Sequence, residues 1–89
     1  MNRDVILDKL LAVFRDVFED DELEISAATK SGDVEGWDSL RHVSLMLNVE
    51  QAFGVKFTSS QVASLKNVGE LIELVESRLA SKSGEGKAR

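Results

Sequence analysis

The chain has no cysteine. That absence excludes disulfides, thiolate metal sites and a cysteine nucleophile in one step. It has no proline and only six glycines, so little interrupts a helix. A single histidine, His42, rules out a multi-histidine metal centre. No apolar run approaches the ~20 residues that a membrane-spanning helix needs. The opening Met1-Asn2-Arg3-Asp4 does not lead from a basic start into an uninterrupted apolar stretch, so no signal peptide is expected. The expectation is a soluble protein of the reducing cytoplasm, with no membrane insertion. At 89 residues there is room for one domain. A domain of that size buries only about 60–65% of its unfolded surface, which gives one modest core and no deeply enclosed pocket.

What is present is acid, and it is unevenly placed. The whole chain carries −5, yet from Asp16 to Asp38 nine acids stand against one base, Lys30, a local net of −8. Such a field repels phosphate backbones and attracts basic protein surfaces, so nucleic acid is not the expected partner. The same stretch has a plainer reading as a solvated loop that keeps a small protein soluble. Its carboxylates lack EF-hand spacing, and no metal site is expected.

The apolar pattern predicts four helices and no strand. Ile6, Leu10, Phe14, Val17 and Phe18 form one stripe, widened by Leu7, Leu11 and Val13, with Asn2 as the cap. The run Glu19-Asp20-Asp21-Glu22 ends this helix, because acids sit badly at a helix C-terminus. A long acidic connection follows to residue 38, pinned by Leu23, Ile25 and Trp37. The second helix starts at Asp38-Ser39, with Asp38 as N-cap, and runs to Phe53 before a Gly54 cap. The third is short. It opens on the capping box Thr58-Ser59-Ser60-Gln61 and is expected to bury Val62 and Leu65. The fourth starts at Asn67, with Glu70 at the matching capping position, and is striped by Val68, Leu71, Ile72, Val75 and Leu79. The domain is expected to span 1–80. Residues 81–89 have no apolar periodicity and are expected to be a disordered tail.

The second helix is apolar on two sides. Leu45, Val49, Ala52 and Phe53 make one strip, expected to face the core. Leu40, Val43 and Leu47 make another, and Gln51, Ser44, Asn48 and Arg41 form a polar band. Full burial of a central helix is difficult in so small a chain, so the second strip is expected to be exposed for docking. Ser39, His42 and Met46 lie between the strips. The Ser39 hydroxyl sits at the positive end of the helix, where open backbone N–H groups favour an anion such as a phosphodiester. An isolated Asp-Ser pair is also an ordinary helix cap followed by a small residue.

The wider stretch is more specific. Glu35-Gly36-Trp37-Asp38-Ser39-Leu40, followed by Val43, Leu45, Leu47, Val49, Glu50, Phe53, Gly54 and Val55, resembles the acyl carrier protein family. The Asn67-Val68 start of the last helix fits too, and the resemblance covers roughly residues 4 to 80. It implies an all-α, four-helix bundle with a long first loop and a short third helix. It also implies a stand-alone carrier that is not an enzyme. The arm, 4′-phosphopantetheine, would be moved from coenzyme A onto Ser39 by a phosphopantetheinyl transferase, with Asp38 capping the helix and presenting the serine. Acyl cargo would travel as a thioester on the arm, so the reactive sulfur is imported into a chain without cysteine. Leu40, Val43, Leu47 and Glu50 would dock acyl-loading and acyl-transfer enzymes through basic surfaces. His42, Met46, Val49 and Val62 would line a cargo cleft. A monomer is expected, since the strip is small and a carrier must visit several enzymes.

One departure bears on pathway. Housekeeping fatty-acid carriers have an acidic second helix just after the serine; here Arg41, His42 and Ser44 take those places and only Glu50 keeps charge. With Trp37, this looks more like carriers dedicated to polyketide, specialised lipid or aminoacyl pathways. An aminoacyl or peptidyl carrier of the same fold, and an unmodified helical interaction module, stay open at this point. A serine hydrolase does not fit: Ser39 and His42 are three apart on one helix, and no strand-to-turn elbow precedes the serine.

Overall fold

Asn2 sets the first turn. Its side chain accepts the Val5 N–H at 2.9 Å and starts α1, Arg3–Val17. The computed structural model describes the backbone of residues 2–88 and the side chains of residues 2–81. Three further α-helices follow: α2, Ser39–Phe53; α3, Ser59–Ser64; and α4, Val68–Ala88. The connection between α1 and α2 holds one short 3-10 helix, Ser31–Asp33, and no strand occurs among the described residues.

The predicted stop and start signals act where they stand. Past α1, Glu19 takes the left-handed φ of 53°, and the Arg15 side chain turns back to donate to the Leu23 carbonyl and to Glu24. Gly54 closes α2 at φ 67°, a conformation that glycine adopts without strain. Thr58 and Gln61 satisfy each other's backbone N–H at the start of α3. At α4 the box is displaced: the Asn67 side chain accepts from Glu70 N–H, while the Glu70 carboxylate accepts from Lys66.

The expectation at the C-terminus differs from the structure, in which α4 runs on to Ala88 instead of ending at 80. Nothing in Ser81-Lys82-Ser83 stops a helix already nucleated, and each added residue gains a bond for one set of fixed dihedrals. Gly84 and Gly86 weaken such a run by only about 1 kcal/mol each, far less than a proline would.

The core is a single cluster. Ile6, Leu10 and Phe14 of α1 meet Leu45, Val49 and Phe53 of α2, with Val68, Leu71, Ile72 and Val75 of α4 closing the other side. Arg3 of α1 also reaches Glu76 of α4 at 3.0 Å, an exposed pair of little energetic weight. Val62 and Leu65 are half-buried where burial was expected, because six residues of α3 lie at the edge of the bundle with one side open.

The long connection is held by apolar packing and by backbone hydrogen bonds. Val34 is buried; Leu23, Ile25 and Trp37 pack against the core. Two α4 amides, Val68 and Gly69, donate to the Thr29 and Ala27 carbonyls at 2.9 and 2.8 Å. A Cβ at residue 69 would stand 3.0 Å from that Ala27 oxygen, so glycine allows the close approach. No helix among the described residues is long and apolar enough to cross a membrane.

Candidate functional site

The start of α2 is delivered by a turn. Gly36 adopts φ 86°, and the Asp38 N–H donates to its carbonyl at 3.0 Å. Asp38 then caps the helix as predicted: its side chain accepts the Arg41 N–H at 2.8 Å, and its carbonyl accepts the His42 N–H at 2.8 Å. Ser39 is thereby fixed at the first helical position and is exposed. The N–H groups of Ser39 and Leu40 donate to no acceptor among the described residues. They point from the positive end of the helix dipole toward the space next to the hydroxyl. Asp38→Ala is expected to lower stability by about 1 kcal/mol in urea denaturation, with Asp38→Asn retaining most of it, because asparagine caps nearly as well.

Arg41 has a role that its place in the polar band did not reveal. Its guanidinium donates to the Val17 carbonyl at 2.6 Å and lies 5.6 Å over the Phe18 ring. This cation at the C-terminal end of α1 ties the first turn of α2 to it.

Beside Ser39, a groove of about 780 Å³ runs between α2 and α3. His42, Met46 and Val62 line it together with Trp37 and Leu65. Val49, expected in the same cleft, is instead fully buried in the core. It follows Leu45 by four residues, and that spacing keeps it on the inward side. Leu40, Val43 and Leu47 are 83%, 56% and 55% exposed, one strip along the rim. Glu50, expected to dock partners, is half-buried and accepts the Phe57 N–H at 2.7 Å. Its carboxylate thus fastens the turn between α2 and α3 and is not a free surface charge.

One arrangement is not evident from the sequence pattern. The Trp37 indole N–H donates to His42 Nδ1 at 3.1 Å, and His42 Nε2 stands 3.1 Å from the Val62 carbonyl oxygen. An indole N–H only donates, so Nδ1 must accept and the imidazole proton sits on Nε2. The available signal was chemical: a half-buried tryptophan N–H needs an acceptor, and His42 is a nearby imidazole. Trp37 is held in place edge-on to Phe14, with ring centroids 5.3 Å apart. Among the described residues, no group of three or more His, Cys, Asp or Glu side chains is placed to hold a metal ion.

Comparison with known proteins agrees with this geometry. The family model described as "Phosphopantetheine attachment site" matches residues 8–75. The acyl carrier protein of Coprothermobacter proteolyticus is 33% identical over 82 residues, covering 92% of this chain and all of that one. The acyl carrier protein of Amoebophilus asiaticus is 35% identical over 79 residues, covering 89% of each. The solution structure of a holo acyl carrier protein from Geobacter metallireducens superposes with a TM-score of 0.81 at 40% identity, covering 88% of this chain and 90% of that chain. Proteins of this kind work with a phosphopantetheinyl transferase and with acyl-handling enzymes. With the four-helix architecture and the family match over most of its length, the chain belongs to the acyl carrier protein family, carriers rather than enzymes, whose cargo rides on a covalently attached 4′-phosphopantetheine.

Proposed function

We propose that Ser39 carries the arm and that the groove between α2 and α3 receives the cargo. The observation behind this is the placement of one exposed hydroxyl at an open helix start, on the rim of an apolar groove. The residues fit the group. The unpaired N–H groups of Ser39 and Leu40 favour a phosphodiester on the neighbouring oxygen. The Asp38 carboxylate is engaged by its bond to Arg41 N–H. Met46, Val62 and Leu65 give apolar lining for a chain. When bound, the arm supplies a terminal thiol that holds the acyl group as a thioester. The test is intact mass after incubation with a phosphopantetheinyl transferase, magnesium and coenzyme A, with a gain of one phosphopantetheine expected.

Docking is assigned to Leu40, Val43 and Leu47. No acid interrupts this strip, and Arg41 is occupied at α1. Charge attraction for a basic partner surface comes instead from Asp33 and Glu35, both exposed just before the serine. This division of labour supports a carrier with dedicated partners. A carrier that visits several enzymes keeps the strip uncovered, which fits a monomer, and a cysteine-free chain suits the cytoplasm. Leu40→Glu or Leu47→Glu is expected to lower kcat/KM for acyl transfer by about tenfold or more, as truncating an apolar anchor does at other interfaces. Thermal unfolding should move little, since both side chains are exposed.

A further inference from the structure

We propose that His42 is a proton-sensitive clasp that closes the groove wall formed by Trp37. The proposal rests on the reading of this groove as the cargo site, and it concerns how that site is opened. His42 joins three elements at once. Trp37 belongs to the long connection, His42 to α2, and Val62 to α3. Val62 lies in the last turn of α3, where carbonyls have no partner inside the helix. Among the described residues, this is the one side-chain hydrogen bond reaching into Ser59–Ser64 from another element.

The two bonds respond oppositely to a proton. The Nε2–H bond to the Val62 carbonyl persists in the imidazolium and becomes charge-assisted. The other bond is lost, because a proton on Nδ1 would set one N–H against the Trp37 N–H at a separation of 3.1 Å. His42 then stays with α3 and releases Trp37, one wall of the groove. The surroundings leave this response to the clasp itself. Among the described residues, no carboxylate lies within ion-pair distance of His42. The charged side chains lining the groove are Asp38, Glu50 and Lys66. Asp38 is bonded to Arg41 N–H and Glu50 to Phe57 N–H. Arg41 faces Val17, and Ser59–Ser64 contains no titratable side chain. A fall in pH would therefore loosen the wall beside the serine while keeping α3 in place.

The experiment uses the apo protein labelled with nitrogen-15, so its failure is distinct from a failure to load Ser39. The His42 ring nitrogens should report the Nε2–H tautomer in neutral solution. As acid protonates the ring, protection of the Trp37 indole N–H from solvent exchange should fall by about tenfold, the scale of one lost hydrogen bond. His42→Gln keeps one acceptor and one donor but does not titrate, and it should retain protection with no step on acidification. An Nδ1–H tautomer in neutral solution would overturn the clasp. So would protonation that leaves the indole N–H equally protected, or the same step in His42→Gln.

Discussion

Ser39→Ala takes up no phosphopantetheine from coenzyme A under conditions in which the unaltered chain gains one per molecule. The loss should be complete, because the other hydroxyls near the groove lack the same setting. Ser59 and Ser60 open α3, but that helix has 6 residues against 15 in α2, and so brings a weaker dipole to its first turn. Ser64 bonds to the Gln61 carbonyl. The start of α4 is filled by Asn67 and by the carbonyls of Ala27 and Thr29. Ser39 differs from Ser59 in standing within Asp38-Ser39-Leu40 at the start of a helix of 15 residues, where Ser59 opens one of 6. The substitution leaves the Asp38 cap in place and puts a good helix former at an exposed site, so unfolding should shift by less than about 0.5 kcal/mol. Intact mass reads the loading and urea denaturation reads the fold. A mass gain that survives in Ser39→Ala would move the arm to another residue and remove the present assignment.

Phe14→Ala is the substitution expected to damage the fold most. The ring is fully buried and meets both Phe18 and Trp37, at centroid distances of 5.9 and 5.3 Å. Removing a buried phenylalanine costs about 3–5 kcal/mol through lost transfer energy and the cavity left behind. At roughly 0.05–0.15 kcal/mol per residue, a domain of this length holds only some 4–13 kcal/mol in total. The variant should therefore be partly or wholly unfolded at 37 °C, and its urea midpoint should fall steeply. It should also disturb Trp37 fluorescence, because the edge-on partner of the indole is gone. An unchanged midpoint would mean that the ring is not the keystone of the contact between α1 and the long connection.

The helices were legible because their signals are local. Asn2, Asp38 and Thr58 each cap the helix they precede, and Gly54 ends α2, as the residue types require. The inward strip of α2 followed from spacing alone, as did the exposure of Leu40, Val43 and Leu47. The misses involve relations across the fold. Glu50 looks like a surface acid until the turn after α2 brings Phe57 N–H to it. Val49 and Met46 are both buried, yet only Met46 borders the groove, and which of the two does so depends on where α3 lies. Trp37 and His42 are close in sequence, but their bond depends on the backbone turn at Gly36 and on a carbonyl from α3. The extent of α4, to Ala88, has a different cause: lack of an apolar stripe removes a cause for burial, not the capacity of a proline-free backbone to stay helical.

The bonds from Val68 and Gly69 back to Thr29 and Ala27 also bear on how the molecule is made. During synthesis, α1, the acidic connection and α2 leave the ribosome first, while the donors that secure the connection and the side chains that cover Ile6 and Leu10 are still to come. The nascent chain must therefore wait, half assembled, for its last helix. The clustered negative charge keeps it from associating with its neighbours until that segment arrives.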